Sequence, residues 1–302
     1  MFKIKKTAAK NQSYVEIENK EIGLKAVINL TQGARLKTLV LNDIPLITED
    51  KNTPYNESFA AAILFPFANR IQDGRYEFKG KTYQLNCNES GGNNAIHGLV
   101  YDKKFIVKKI KTTKKSLSIS LVYKEKKEIE GYPFKYNTKA TYVFRRTTTT
   151  LHIDIKNKSL ESMPFTLGWH PYFNSSDLPA SNLQFKSSEK ISFDKNLITK
   201  EVLKKETKMP LQIKNNEYDD CFLIEDSKFA FITPAYNLTL HSEPMNEYLQ
   251  IYNQKNSNKI ALELMSGVSN SFNNKIGLQE LKPNEVYSTS YVLNINSNNQ
   301  NH

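Results

Sequence analysis

An all-β chain, folded as one large antiparallel β-sandwich, is what this sequence predicts, and three observations predict it. Apolar residues recur at every second position in many short runs, the period of a strand with one buried face. No window of helical length carries a sustained i, i+3, i+4 apolar stripe. The runs follow one another at intervals of roughly 8 to 12 residues, the rhythm of a sandwich or barrel.

Taken along the chain, SYVEIEN (13–19) and IGLKAVINL (22–30) open the series, and RYEFKGKTYQL (75–85) continues it. In SLSISLVY (116–123), Leu117, Ile119, Leu121 and Tyr123 share a face. In FKYNTKATYVF (134–144), Phe134, Tyr136, Ala140, Tyr142 and Phe144 do the same, and in LHIDI (151–155) Leu151, Ile153 and Ile155. RRTTTT, between the last two, suits a hairpin connection, although threonine also favours strand. LTLHS, YLQIYN, KIALEL and STSYVLNI complete the set. No linker, fixed-period repeat or shift in composition divides the chain. Residues 1–302 therefore read as a single domain, with the polar stretch 296–302 expected to be a disordered tail.

The totals restrict the function classes. A composition of 39% hydrophobic and 11% aromatic residues supports a packed core. No run approaches the roughly 20 apolar residues of a membrane helix, so no membrane partner is expected. The basic start MFKIKKTAAK has no apolar run behind it, which reads as no secretory signal and gives a cytoplasmic expectation. Cys87 and Cys221 are far apart and form no ligand cluster, against a structural zinc site or a disulfide framework. A formal net charge of +11 raises the question of a polyanionic partner. The lysines are spread along the chain, and the densest run, KKFIVKKIKTTKK (103–115), alternates with apolar residues as the solvated face of a strand pair does. With no recognition helix, aromatic ribonucleoprotein pattern or finger spacing, no nucleic-acid partner is expected.

Four stretches break the alternation with polar or titratable groups. In FPFANRIQDGRY (65–76), Asn69 and Arg70 precede a turn signal; Arg70 is either an exposed strand charge or a planar fork of donors in a cleft. In NNAIHGLVY (93–101), His97 follows a glycine- and asparagine-rich loop, a place for either structure or function. In GWHPYFN (168–174), Pro171 pushes His170 into extended backbone, beside the only tryptophan. His170 is either hydrogen-bonded inside an aromatic core or placed to move a proton. Alternation sets Trp169 and Phe173 on the packing face, and His170, Tyr172 and Asn174 on the other. Finally, YDDCF (218–222) carries Asp219 and Asp220, and IALELMSG (260–267) sets Glu263 in an apolar strand. A buried carboxylate there costs several kcal/mol unless paired, and burial raises its pKa as a general base requires.

The sequence has no GxSxG elbow, phosphate loop, GxGxxG or HExxH. An arginine, two histidines and a few carboxylates on a β scaffold fit proton transfer on a polar, uncharged substrate. In order, ANRI with DGRYEFKGKTYQL, NAIHG, GYPFKYNTKATYVF, HPYFN, DDCF, LQIY and ALEL resemble the motifs of the aldose 1-epimerase (galactose mutarotase) family, from about residue 20 to residue 295. The resemblance implies a β-supersandwich with a sugar cleft and no cofactor. It implies Glu263 as catalytic base, His170 as catalytic acid and His97 as an assisting group near the ring oxygen. Arg70, Asp219, Asn69, Tyr172 and Gln250 would hold the sugar hydroxyls of an aldose, in a monomer or homodimer. A hexose-6-phosphate epimerase, with Lys255, Lys259 or Lys275 supplying charge, and a non-catalytic sugar-binding module are the alternatives. The chain departs from the family pattern in three places: FPFANRI lacks the family's first arginine, Phe134 replaces a glycine, and Leu264–Gly267 replaces a polar segment.

Overall fold

The computed structural model describes residues 1–49, 53–226 and 228–297. The first five strands, Lys3–Ala9, Gln12–Asn19, Leu24–Asn29, Arg35–Leu41 and Ile44–Ile47, form an antiparallel meander in chain order. A nine-stranded antiparallel sheet begins at the edge strand Ile106–Thr112 and passes through Leu117–Lys124, Tyr136–Phe144, Thr148–Asn157 and the long Val286–Ser297. An eight-stranded sheet carries Tyr218–Leu223, Tyr248–Asn253 and Lys259–Met265 side by side, flanked by the short pieces Gly168–Trp169, Tyr172–Asn174 and Ile63–Leu64. Helix is confined, among the described residues, to single turns such as Tyr55–Ser58 and Ser271–Asn274.

Side-chain alternation explains how the sheets meet. Leu117, Ile119 and Leu121, then Tyr136, Ala140, Tyr142 and Phe144, then Leu151, Ile153 and Ile155 are buried from one face of the nine-stranded sheet. They pack with Val15, Ile17, Ala26 and Ile28 of the meander and with Leu249, Ile251, Ile260, Leu262 and Leu264 of the eight-stranded sheet in one hydrophobic cluster. We propose from this shared core that the chain is a single domain. The lysine-rich run forms the exposed edge strand Ile106–Thr112, as its alternation suggested.

The boundaries differ from the sequence reading in three places. The hairpin between Tyr136–Phe144 and Thr148–Asn157 turns in Arg145–Thr147 alone, because Thr148, Thr149 and Thr150 already pair with Asn294, Leu293 and Val292. Phe134 lies ahead of its strand, buried against Phe78, Tyr83 and Tyr132. Asn296 and Ser297 belong to the last strand, paired with Asn237 and Tyr236; the rest of the expected tail, 298–302, lies outside the described residues.

Candidate active site

Register builds the floor of the site. Cys221 pairs with Gln250 and Gln250 with Glu263; Asp219 pairs with Tyr252, Tyr252 with Ala261, and Ala261 with Tyr172. Directly paired residues share a face, so Asp219, Gln250, Tyr252, Glu263 and Tyr172 stand on one side of this sheet. Phe222, Leu249, Ile251, Leu262, Trp169 and Phe173 point the other way into the main core. Met265 shares the face of Glu263 and packs in a second cluster with Phe59, Ile96 and Cys221 beneath the site. The split read from GWHPYFN thus holds for Trp169, Phe173, His170 and Tyr172. Asn174 is the exception: its amide donates to Pro45 O (2.9 Å), its side-chain oxygen accepts from Thr48 Oγ1 (2.9 Å), and it does not line the cavity.

His170 sits between two strand fragments. Its backbone N–H donates to Ala62 O (3.1 Å) and its carbonyl accepts from Ala61 N–H (2.8 Å). His170 Nε2 lies 3.2 Å from Glu263 Oε1. The ring stacks on Tyr172 at 5.1 Å between centroids and meets the edge of His97 at 5.0 Å; His97 in turn packs on Phe59 at 4.9 Å.

His97 and Arg70 are set by a tight backbone crossing. His97 N–H donates to Asn69 O (3.0 Å), and both residues adopt positive φ, 60° and 59°. Gly98 follows, where a Cβ would fall 2.2 Å from Phe65 O, so the glycine of NAIHG is a steric requirement. Arg70 donates through Nε to Glu89 Oε1 (2.6 Å) and through Nη1 to Asn69 Oδ1 (3.1 Å). Among the described residues its Nη2 has no hydrogen-bond partner. Gln250 Nε2 donates to Asp219 Oδ1 (2.6 Å), whereas Asp220 turns away to Lys190 (2.7 Å).

All eight side chains singled out from the sequence (Asn69, Arg70, His97, His170, Tyr172, Asp219, Gln250 and Glu263) line one cavity of about 400 Å³, within the range of small-molecule sites. Glu263 and His170 are 2% and 5% exposed. Among the described residues, the buried Glu263 Oε2, His170 Nδ1, His97 Nδ1 and Gln250 Oε1 have no hydrogen-bond partner. Orphaned polar atoms are rare in native structures, and these four belong to residues that line one cavity.

Burial dominates the electrostatics. It raises the Glu263 carboxyl well above the usual carboxylate range; the Asp219 charge adds to this and Arg70 opposes it. Burial lowers His170 to about 4. It also takes His97 well below an ordinary imidazole, helped by His170 and Arg70. Asp219 is raised by burial against the pull of Arg70. The Glu263–His170 pair therefore holds a single proton between the lowered His170 value and the raised Glu263 value.

Among the described residues no cluster of three or more His, Cys, Asp or Glu has the form of a metal site, and no helix is long and apolar enough to cross a membrane. Of the three candidate phosphate lysines only Lys259 lines the cavity, its Nζ donating to Thr48 O (3.0 Å). Lys275 bonds Glu77 O and Phe272 O, and Lys255 is exposed and does not line the cavity. Sequence reasoning missed Phe59, Leu197 and Tyr252 as cavity walls. Tyr252 was findable, two residues from Gln250 on the same face. Phe59 and Leu197 sit in connections and themselves take positive φ (47° and 59°), positions at which glycine or asparagine is the expected residue.

The family model for aldose 1-epimerase matches residues 13–294. The chain belongs to the aldose 1-epimerase family. A galactose mutarotase-like protein from Clostridium acetobutylicum superposes with a TM-score of 0.86 at 20% identity, over 98% of this chain and 99% of that one. A galactose 1-epimerase from Lactobacillus acidophilus NCFM superposes with a TM-score of 0.75 at 16% identity, over 98% and 99%. At those identities the likeness concerns the fold. In sequence, the chain is 28% identical to the uncharacterised protein YihR of Escherichia coli K12 over 144 residues, 47% of this chain and 45% of that one. The chain spans about half the length of the curated relatives it matches first.

Proposed function

We propose that the protein interconverts the α and β anomers of a free hexose by general acid–base opening and closing of the ring. The observation that carries this reading is the buried Glu263–His170 pair, 3.2 Å apart on the floor of a cavity lined with hydroxyl-binding groups. Glu263 as carboxylate takes the proton of the C1 hydroxyl. The O1–H electrons form the C1 carbonyl, the C1–O5 bond breaks, and the imidazolium of His170 gives its proton to O5. Rotation about C1–C2 presents the other carbonyl face, and the transfers reverse on closure. Opening leaves Glu263 protonated and His170 neutral, the form that burial favours. The charge of Arg70 supports the carboxylate at the start of the cycle. His97, held neutral, is placed beside His170 to act near the ring oxygen. Arg70 Nη2, Asp219, Asn69, Tyr172 and Gln250 bind hydroxyls and hold the ring, and each general acid–base step contributes roughly 10²–10⁴-fold.

A free sugar fits better than a phosphorylated one, because Arg70 is already paired with Glu89 and, among the described residues, Lys259 is the single lysine that lines the cavity. Polarimetry of freshly dissolved α-glucose and α-galactose, with glucose 6-phosphate alongside, tests the reading. Faster mutarotation of a free hexose than of the phosphate is expected. No acceleration of any of the three would leave a sugar-binding module without turnover.

A further inference from the structure

Arg70 is held from outside the cavity. Glu89 does not line the catalytic space, yet Arg70 Nε donates to its Oε1 at 2.6 Å. Both side chains are 15% exposed, so the pair is largely withdrawn from water and weakly screened by salt. We propose that Glu89 is a positioning residue for this site: it fixes the plane of the Arg70 guanidinium so that Nη2 is left for the ligand, and it offsets the guanidinium charge so that the fork serves neutral hydroxyls rather than anions. The proposal rests on the epimerase reading of the cavity, in which Arg70 binds a sugar hydroxyl.

The carboxylate is built into its place. Its second oxygen, Oε2, accepts from Asn94 Nδ2 (2.7 Å), and Asn94 Oδ1 accepts from Asp73 N–H (3.1 Å). Asn94 is itself buried. The N–H groups of Asn88 and Glu89 both donate to Asn94 O (3.2 Å each), which closes loop 88–94 on itself. Asn88 ties the loop to the next strand, accepting from Ile96 N–H (2.8 Å) and donating to Ile96 O (3.1 Å). Ile96 pairs in turn with Arg70. One segment thus holds the main chain of Arg70 through Ile96 and its side chain through Glu89. A Cβ at Gly92 would fall 2.3 Å from Glu89 Oε2, so glycine there keeps room for a carboxylate that Arg70 and Asn94 hold in position.

Geometry and charge act together. A guanidinium is planar, so a bond at Nε sets the plane in which both Nη atoms lie. A second bond, from Nη1 to Asn69 Oδ1 (3.1 Å), holds the fork within that plane. Two edges of the group are engaged by the protein, which leaves Nη2 pre-organised for a hydroxyl. The charge of Glu89 also reaches the cavity. Asp219, on the cavity floor, is pulled down by Arg70 and pushed up by Glu89. Without Glu89 the site would carry one more net positive charge and would favour an anion.

A double-mutant cycle on the intact chain tests this, read as KM and kcat for glucose by initial-rate polarimetry and as Kd for glucose and glucose 6-phosphate by calorimetry. Glu89→Ala should raise KM for glucose about tenfold with kcat little changed. Gly92→Ala, which alters neither charged group but crowds the carboxylate, should act in the same direction. In an Arg70→Ala background, Glu89→Ala should raise KM no further, because residues in contact do not act additively. Glu89→Gln keeps an acceptor for Nε and removes the charge, so affinity for glucose 6-phosphate relative to glucose should rise about tenfold. An ion pair that only fastened the loop would give KM effects that add across the cycle and a phosphate-to-glucose ratio that glutamine leaves unchanged; either result overturns the positioning role. A cycle that is coupled in Kd, in a chain that accelerates no mutarotation, supports the role of Glu89 and overturns the epimerase reading.

Discussion

Replacing Glu263 by glutamine keeps the shape of the side chain and removes the base, and two consequences with opposite signs follow. Activity falls: loss of a general base costs roughly 10²–10⁴-fold in kcat/KM, about 3–5 kcal/mol of barrier. Stability rises, because burial at 2% exposure and the Asp219 charge hold the Glu263 carboxyl well above its ordinary value, a cost at pH 7 that the uncharged amide does not carry. Removing the unmet desolvation of a buried ionisable carboxyl is worth about 1–3 kcal/mol. An unfolding entropy of about 2.1 cal/mol/K per residue over 302 residues converts 1 kcal/mol into about 1.6 °C, so Tm should rise by about 2–5 °C at pH 7. The pH dependence fixes the cause. Glu263 is raised in the folded state, so its contribution is fully present below the ordinary carboxyl value of 4.5 and is lost as pH rises through the folded value. The stability gap between variant and wild type should therefore be small near pH 4 and widen upward. Polarimetry and thermal unfolding of both proteins across pH read these effects. Mutarotation at the wild-type rate, or a variant less stable than wild type at pH 7, would refute the reasoning.

Other expectations follow from the same geometry. The Glu263–His170 pair gains a second proton as pH falls through about 4, where His170 titrates, and loses its only proton as pH rises through the raised Glu263 value; kcat/KM against pH should be bell-shaped with its acid limb near pH 4. Arg70→Lys removes the fork that reaches Glu89, Asn69 and the cavity at once, so KM measured by initial-rate polarimetry should rise about tenfold or more. Phe173→Ala empties a fully buried position behind His170 and should cost about 3–5 kcal/mol, a fall in Tm of about 5–8 °C by calorimetry.

Much of the scaffold was legible because its strands bury one face. Leu117–Lys124 and Thr148–Asn157 show the alternation directly, residue by residue. The strands that frame the site were not legible in the same way. Ile63–Leu64 and Gly168–Trp169 are two residues long and buried on both faces, so no period develops. Glu263 could be singled out because a carboxylate in an apolar strand needs a reason, but its convergence with His170 depends on cross-strand register that local patterns do not encode. Asn174 shows the limit of alternation. Its position matches Tyr172, yet Thr48 and Pro45 offer stronger local partners and draw its side chain off the cavity. Phe59 and Leu197 were not legible as cavity walls, since their left-handed backbone is imposed by neighbours rather than by their own residue type.

The most direct measurement is a crystal structure of the Glu263→Gln variant soaked with glucose. The account predicts a ring whose C1 hydroxyl lies within about 2.6–3.2 Å of residue 263 and whose O5 lies at a similar distance from His170 Nε2, with Arg70 and Asp219 on the remaining hydroxyls. A sugar bound in this cavity with its anomeric carbon turned away from both groups would contradict it.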